Sequence, residues 1–268
     1  MSDDQAEIKE YVRQRYGERA RQAAQLTVLN VEEAACCAGG TCSTDVDASL
    51  GAFPDLYRQS ELEGLPVEAV AASAGCGNPT ALAGLKAGER VLDLGSGGGI
   101  DCFLAARQVG TEGHVIGLDM TPDMLALARK NAETLGVSNV EFIQGEMEDI
   151  PLPDASVDVV ISNCVVCLSP DKDAVAREAY RVLAPGGRLH LSDMMALGPM
   201  PKELREDPQK WASCVSGADD RETYLERLAG AGFLDIAITQ EGPARAQEEG
   251  SPDVVSVKVV AYKPLEGA

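Results

Sequence analysis

The 268-residue chain is 45% hydrophobic but only 4% aromatic, and it carries a net charge of −20 at pH 7. A chain of this length can bury one substantial core and a small appended lobe. The charge argues against nucleic acid as a partner, because contacts with phosphates require clusters of Lys and Arg. The start, Met1 to Asp4, is acidic and no run approaches the ~18 apolar residues of a membrane span. We therefore expect a cytoplasmic protein with no membrane partner.

The acidic composition has two interpretations. A salt-tolerant cytoplasm favours hydrated carboxylates, which keep proteins soluble when charges are screened, but an ordinary acidic bacterial protein has a similar charge. The chain also contains eight cysteines. In a reducing compartment they are not typical of a static disulfide framework, so they indicate catalytic, redox or metal chemistry.

The N-terminal part, 1–65, combines a helix with a cysteine-containing loop. Charged and apolar residues recur at helical spacing over residues 2–24, which predicts an amphipathic helix. A small-residue segment with neither helical nor strand periodicity follows, and it carries Cys36, Cys37 and Cys42. Further along, glycines and an Asn-Pro step predict a turn at 75–79.

From residue 89 onwards, short apolar segments alternate with helical ones. This alternation predicts an α/β fold with a mostly parallel, doubly wound sheet and helices on both faces. We expect a central domain at 66–195 and a C-terminal part at 196–268 whose two strands close the sheet as an antiparallel edge. The predicted strands are 90–94, 114–119, 140–143, 157–161, 188–192, 236–239 and 254–262, and the predicted helices are 101–109, 122–135, 173–183 and 219–231.

A glycine-rich turn joins the first of these strands to a helix. Residues 91–99 read Val-Leu-Asp-Leu-Gly-Ser-Gly-Gly-Gly, and glycines here allow a ligand to approach the backbone closely. Ile100 occupies the position at which a dinucleotide-binding fingerprint has its third glycine. Asp93 precedes the glycines, where its carboxylate would repel a pyrophosphate but can bind the ammonium of an amino-acid-bearing cofactor. S-Adenosylmethionine has such an ammonium and no phosphate.

Polar residues also follow the next two predicted strands. Asp119 stands where a carboxylate can accept hydrogen bonds from both ribose hydroxyls, and Glu146 and Met147 are placed to hold adenine. This series resembles that of class I S-adenosylmethionine-dependent methyltransferases over about residues 79–262, and the resemblance implies a Rossmann-like fold and that cofactor. The cofactor-binding residues are expected to be Tyr16, Asp93, Gly95, Ser96, Gly97, Asp119, Met120, Glu146, Met147 and Asn163.

Cysteines in three further loops give a narrower resemblance. Cys164 follows the fourth predicted strand, Cys76 lies in the turn at 75–79, and Cys214 begins the segment Cys-Val-Ser-Gly-Ala. Together with the glycine-rich turn, these motifs are similar to those of arsenite methyltransferases along nearly the whole chain. A generic methyltransferase has no reason to carry cysteine at these places. The resemblance therefore implies methylation of trivalent arsenic.

The same resemblance implies how arsenic is held and how the site is reset. Cys164 and Cys214 bind arsenic through the catalytic cycle, and Cys76 is a third ligand or a disulfide partner. Three soft thiolates suit trivalent arsenic and leave its lone pair free to attack a methyl group. Thioredoxin or glutathione reopens the disulfide that forms, and the substrate is arsenite or a thiol-conjugated trivalent arsenical. We expect the protein to be a monomer.

Several alternatives stay open from the sequence. The resemblance includes one N-terminal cysteine in the redox set, and we favour Cys37 or Cys36 over Cys42. Cys102 is expected to be a small buried residue. Cys167 departs from the family, in which asparagine is usual three residues after the active cysteine, and it is either an extra ligand or a packing residue. Two other functions are methylation of a small thiol or other metabolite, and non-catalytic thiolate sensing of a metal or metalloid.

Overall fold

The computed structural model describes residues 3–25, 57–78, 83–245, 251–265 and 267. The cysteines of the N-terminal loop, Cys36, Cys37 and Cys42, lie outside the described residues, so their redox role stays a prediction. Within the described ranges, no helix combines the length and apolar character that a transmembrane span requires.

One sheet of eight strands organises the described part of the chain. The strands are β1 (Arg90–Leu94), β2 (His114–Asp119), β3 (Val140–Gln144), β4 (Val157–Asn163), β5 (Leu183–Ala196), β6 (Asp219–Asp220), β7 (Leu234–Arg245) and β8 (Val254–Tyr262). Their order is β3-β2-β1-β4-β5-β8-β7, and β6 pairs with β5 off this path. Neighbours run parallel except at β8, which is antiparallel to β5 and β7. The expected parallel sheet with an antiparallel C-terminal edge is confirmed.

Helices cover the sheet and begin or end where local chemistry favours it. They are α1 (Asp3–Ala24), α2 (Gln59–Leu62), α3 (Val67–Ala72), α4 (Ile100–Val109), α5 (Pro122–Leu135), α6 (Lys172–Val182), α7 (Lys202–Arg205), α8 (Pro208–Trp211) and α9 (Arg221–Ala231). Helix α5 starts at a proline and ends at Gly136 in the left-handed conformation, with a φ of 64°. Asp220 caps α9, since its side chain accepts a hydrogen bond from the amide of Thr223.

The two faces of the sheet bury different residues because side chains alternate along a strand. Val91 and Val159 pack in one apolar cluster with residues of α4 and α5. Leu92 and Val160 pack in a second cluster with residues of α6 and α9. Both faces are therefore covered, as parallel sheets require. The carboxyl ends of the strands form the edge that is left for a ligand.

Several segments differ from the sequence prediction. Strands β5 and β7 are longer than the predicted 188–192 and 236–239, and helices α2 and α3 were not predicted. The predicted helix 219–231 begins only at Arg221, because Asp219 and Asp220 pair with the end of β5 before the cap. The short helices α7 and α8 were not predicted, since the prolines around them interrupt any helical periodicity. Helix α8 matters for the site because it carries the buried Trp211, whose Nε1 donates to the carbonyl of Leu168 at 2.8 Å.

His190 gives the fold a dependence on pH. It is 5% exposed in β5, neither ring nitrogen finds a hydrogen-bond partner among the described residues, and burial together with the charge of Arg188 lowers its pKa from 6.5 to about 4. As pH falls, the unfolded chain takes up this proton before the folded protein does. The stability is therefore fully present above pH 6.5 and is lost as the pH falls towards 4.

Wild-type protein is expected to lose about 1–2 kcal/mol more stability than His190→Leu between pH 7 and pH 4.5, allowing for partial solvent screening of the shift. Urea denaturation of both proteins at the two pH values measures this difference. Asp101 and Asp193 titrate in both proteins, so their contributions cancel. An identical pH dependence in the two proteins would contradict a neutral, buried His190.

Candidate active site

The turn between β1 and α4 forms the floor of a cleft. Gly95 has a φ of 69°, and a Cβ there would lie 2.4 Å from Cγ1 of Val165, so a larger residue does not fit. The amide of Gly97 donates to Oδ2 of Asp119 at 2.9 Å, and the amide of Thr121 donates to Oδ1 at 2.8 Å. These bonds fix the glycine-rich turn against the end of β2.

The cleft opens at the carboxyl ends of β1, β2 and β4. This position suits a small-molecule site. Ser96 contributes a buried hydroxyl that has no partner among the described residues and is therefore available to a ligand. The lining residues that the sequence predicted are Tyr16, Gly95, Ser96, Gly97, Asp119, Met120, Met147, Asn163 and Cys164.

Two buried carboxylates lie behind the glycine-rich turn, and only one of them lines the cleft. Asp93 is absent from the lining, and its Oδ2 accepts a hydrogen bond from Sγ of Cys102 at 3.3 Å. Asp101 lines the cleft from the first turn of α4 and accepts from the hydroxyl of Tyr57 at 2.9 Å and from Nδ2 of Asn163 at 3.1 Å. Burial raises the pKa of Asp101 to about 6. Asp101 was not among the predicted site residues, although an acidic residue just after a glycine-rich turn is a visible signal in the sequence.

Beyond β3 as well, the acidic residue that lines the cleft differs from the one predicted. Glu146 does not line the cleft; its half-exposed side chain accepts from Nζ of Lys9 at 2.7 Å. Glu148 lines the cleft instead, 3.1 Å from Nζ of Lys9, and it accepts from Oγ of Ser169 at 2.5 Å. Lys9 belongs to α1, which also supplies Tyr16 to the lining. These ion pairs hold α1 across the cleft.

A cluster of thiols lies at the inner end of the cleft. The Sγ atoms of Cys164, Cys167 and Cys214 all lie within 4.8 Å of one another, and the three residues are at most 8% exposed. Among them, Cys164 lines the cleft. All three cysteines are free thiols. The family resemblance implied that Cys164 and Cys214 act as a pair and left Cys167 open between a ligand and a packing residue. In the structure, Cys167 belongs to the same cluster.

Cys76 approaches the same cluster from another side. Its Sγ lies within 4.8 Å of Sγ of Cys164 and of a carboxylate oxygen of Asp193. Asn163 holds its loop: Oδ1 accepts from the amides of Cys76 at 2.9 Å and Gly77 at 3.2 Å, and Nδ2 donates to the carbonyl of Gly77 at 2.8 Å. Burial raises the pKa of Asp193 to about 7. Asn163 therefore fixes the position of Cys76 as well as lining the cleft.

Hydrogen bonds and burial shift the pKa values of the three thiols in different directions. Bonds from the thiols of Cys164 and Cys167, and from Tyr16, lower the pKa of Cys214 well below its usual value. Bonds with Cys167 and Cys214 raise the pKa of Cys164, and burial raises that of Cys167. These hydrogen bonds therefore favour the thiolate form at Cys214 over the thiolate form at Cys164 or Cys167. A thiolate is the reactive form towards a soft element.

The backbone is strained at two of these cysteines. Cys164 has a φ of 60° and Cys214 a φ of 61°, in the left-handed region that costs a residue other than glycine about 1–3 kcal/mol. Hydrogen bonds hold both conformations: the amide of Cys164 donates to the carbonyl of Ser192 at 2.7 Å, and the amide of Cys214 to that of Trp211 at 3.0 Å. Surrounding structure thus aims the two thiols at each other.

Comparisons with known proteins agree with this geometry. Residues 85–239 match the model of a methyltransferase domain family. An arsenite methyltransferase of Halobacterium salinarum is 39% identical over 97% of this chain and 68% of its own length. The chain belongs to the arsenite methyltransferase family. The human arsenite methyltransferase is 43% identical over 52% of the chain, which covers 38% of the human protein.

Solved structures support the same assignment to the arsenite methyltransferases. The arsenic(III) S-adenosylmethionine methyltransferase of Chlamydomonas reinhardtii has a TM-score of 0.69 and 38% identity, over 78% of this chain and 73% of that protein. The fold is the Rossmann-like class I methyltransferase fold, and the cofactor is S-adenosylmethionine. The free hydroxyl of Ser96, the glycine-rich floor and the acidic lining fit a cationic cofactor that has no phosphate.

Proposed function

We propose that this arsenite methyltransferase family member binds trivalent arsenic at Cys164 and Cys214 and methylates it in place. The observation that carries the proposal is the sulfur cluster at the inner end of the cleft. Cys164 belongs to this cluster and also lines the cleft. Thiolates are ligands that soft elements prefer. A methyltransferase of an organic metabolite would have no chemical need for several free thiols within 4.8 Å of one another.

The lining supports a definite orientation of the cofactor, which supplies the methyl group when bound. We place the ribose at Asp119, whose two oxygens already accept from backbone amides and keep further lone pairs for hydroxyls. We place the ammonium at Asp101 instead of Asp93, because Asp101 lines the cleft. Tyr16 and Lys9 of α1 cover the site and exclude water, which strengthens the charge interactions within it.

The thiols also account for the electrons of the reaction. When the arsenic lone pair forms the new bond to carbon, arsenic passes from the trivalent to the pentavalent state. Two thiolates return two electrons by forming one disulfide, and we infer that Cys76 and Cys164 are this pair because their Sγ atoms are neighbours. Thioredoxin or glutathione then reopens the disulfide by thiol exchange. We infer that Cys37 or Cys36 passes this disulfide from the buried pair to the external reductant, which a reducing cytoplasm supplies. We propose that the protein acts as a monomer.

The proposed function is tested with purified protein, arsenite and S-adenosylmethionine that carries a labelled methyl group, in the presence of glutathione or thioredoxin. We expect the label in methylated arsenicals, separated by chromatography, and no transfer to the organic thiol. Cys102→Ser is the matched control, because this equally buried thiol lies outside both sulfur groups and is expected to keep activity. Label on the organic thiol alone would support the metabolite alternative, and binding of zinc or arsenic without transfer would support a sensor.

A further inference from the structure

Cys167 is the one thiol of the described sulfur cluster to which the proposed function gives no role. We propose that it provides the third thiolate for trivalent arsenic, so that Cys164, Cys167 and Cys214 hold the incoming substrate. Cys76 is then left free for the disulfide step. This inference rests on the proposed function, and it assigns different tasks to two thiols that both neighbour Cys164.

The position of Cys167 is fixed relative to Cys214 by close packing. Cys167 lies in a 3-10 turn, Val166–Leu168, and its amide donates to Oδ2 of Asp193 at 3.1 Å. A Cβ at Gly217 would lie 2.1 Å from the carbonyl oxygen of Cys167, so the segment that carries Cys214 touches this turn only because that residue is glycine. The turn and the segment therefore bring their thiols together through contacts of the protein itself.

The distances suit a single soft centre. Three thiolates bonded to one centre at about 2.3 Å, as they are to zinc, at near-tetrahedral angles hold their sulfur atoms roughly 3.8 Å apart. The sulfur atoms of Cys164, Cys167 and Cys214 lie mutually within 4.8 Å, so side-chain rotations that shorten any longer separation bring them around one centre. Cys76 forms its corresponding group with Cys164 and an oxygen of Asp193. Because carboxylate oxygen is a harder ligand than sulfur, the group of three thiols suits arsenic better.

The binding step balances without an oxidant or reductant. Arsenite enters as the trihydroxide, and each of three thiols passes its proton to a leaving hydroxide, which departs as water. Three bonds from arsenic to sulfur form as three bonds to oxygen break, and arsenic stays trivalent. Cys76 keeps its thiol through this step and is available when two electrons must be returned. The N-terminal cysteines are not needed for this three-thiolate site.

The test counts sulfur ligands in the full-length chain with Cys36, Cys37 and Cys42 replaced by serine, which removes competing thiols. X-ray absorption on the arsenite-loaded protein is expected to give three sulfur neighbours for this background. Cys76→Ser and the control Cys102→Ser should keep three. Cys167→Ser should keep two, and arsenite affinity should fall by roughly 10–100-fold or more, the range reached when even supporting residues of metal sites are changed.

Three sulfur neighbours in Cys167→Ser, or a loss of the third in Cys76→Ser alone, would overturn the inference. Cys167→Ala is examined in parallel, with S-adenosylmethionine binding as the check that each variant is folded. Failure of the proposed function would look different. In that case the wild-type protein would bind no arsenite, or would bind it with three sulfurs and transfer no methyl group.

Discussion

Cys164→Ser and Cys214→Ser should each abolish methylation of arsenic while S-adenosylmethionine still binds. A serine hydroxyl is a hard ligand that stays protonated at neutral pH, whereas trivalent arsenic requires soft thiolates. Each variant also removes one of the sulfur atoms that lie within 4.8 Å of one another. Product formation from arsenite measures the loss, and calorimetry with the cofactor shows that the cleft is intact.

Cys102→Ser separates loss of a ligand from loss of a buried thiol. Cys102 is fully buried in α4 and donates to Asp93, and it belongs to neither of the two groups of candidate ligands that contain Cys164. The Cys102→Ser variant should retain activity, since a serine hydroxyl can donate to the same carboxylate. If Cys102 proved essential and Cys214 dispensable, the assignment of the ligand pair would be wrong.

Asp119→Ala is expected to weaken cofactor binding by about 1–3 kcal/mol, because charge-assisted hydrogen bonds to two ribose hydroxyls would be lost. This corresponds to roughly 5–150-fold in the dissociation constant. The amides of Gly97 and Thr121 would also lose their acceptor, so part of the effect would come from loosening the floor of the cleft. Calorimetry with S-adenosylmethionine gives the affinity directly.

Asp119→Asn is the companion variant that divides these two contributions. Its amide oxygen can still accept from one backbone amide, while the negative charge is removed. An intermediate loss of affinity is expected. Unchanged affinity in a folded Asp119→Ala protein would remove Asp119 from the cofactor site.

Much of the fold was predictable because local patterns and tertiary structure agree. The apolar segments 90–94 and 114–119 became β1 and β2 with the same bounds. The antiparallel edge formed by β7 and β8 was predicted only from the position of these two strands at the end of the chain. Asp219 shows where local patterns fail, since it looked like the first residue of a helix and instead pairs beside β5. Such a bridge depends on a strand more than twenty residues away in sequence, which periodicity does not record.

The site was predicted less completely, and the reason is again distance in sequence. Motifs placed residues at strand ends but did not show which side chains point into the cleft. Asp93 turned out to be covered by Cys102, and Asp101 stands in the lining. Cys167 joins Cys214 only because Gly217 allows two distant segments to touch. The tethering of Cys76 by Asn163 likewise joins residues 87 positions apart.

The left-handed backbone at Cys164 and Cys214 sets stability against activity in any engineering of this protein. Glycine adopts such a conformation without strain, so Cys164→Gly would relieve about 1–3 kcal/mol of conformational cost while it removed an arsenic ligand. A variant library screened only for heat resistance would therefore enrich inactive proteins at these two positions. Selection for a robust biocatalyst must include turnover from the first round.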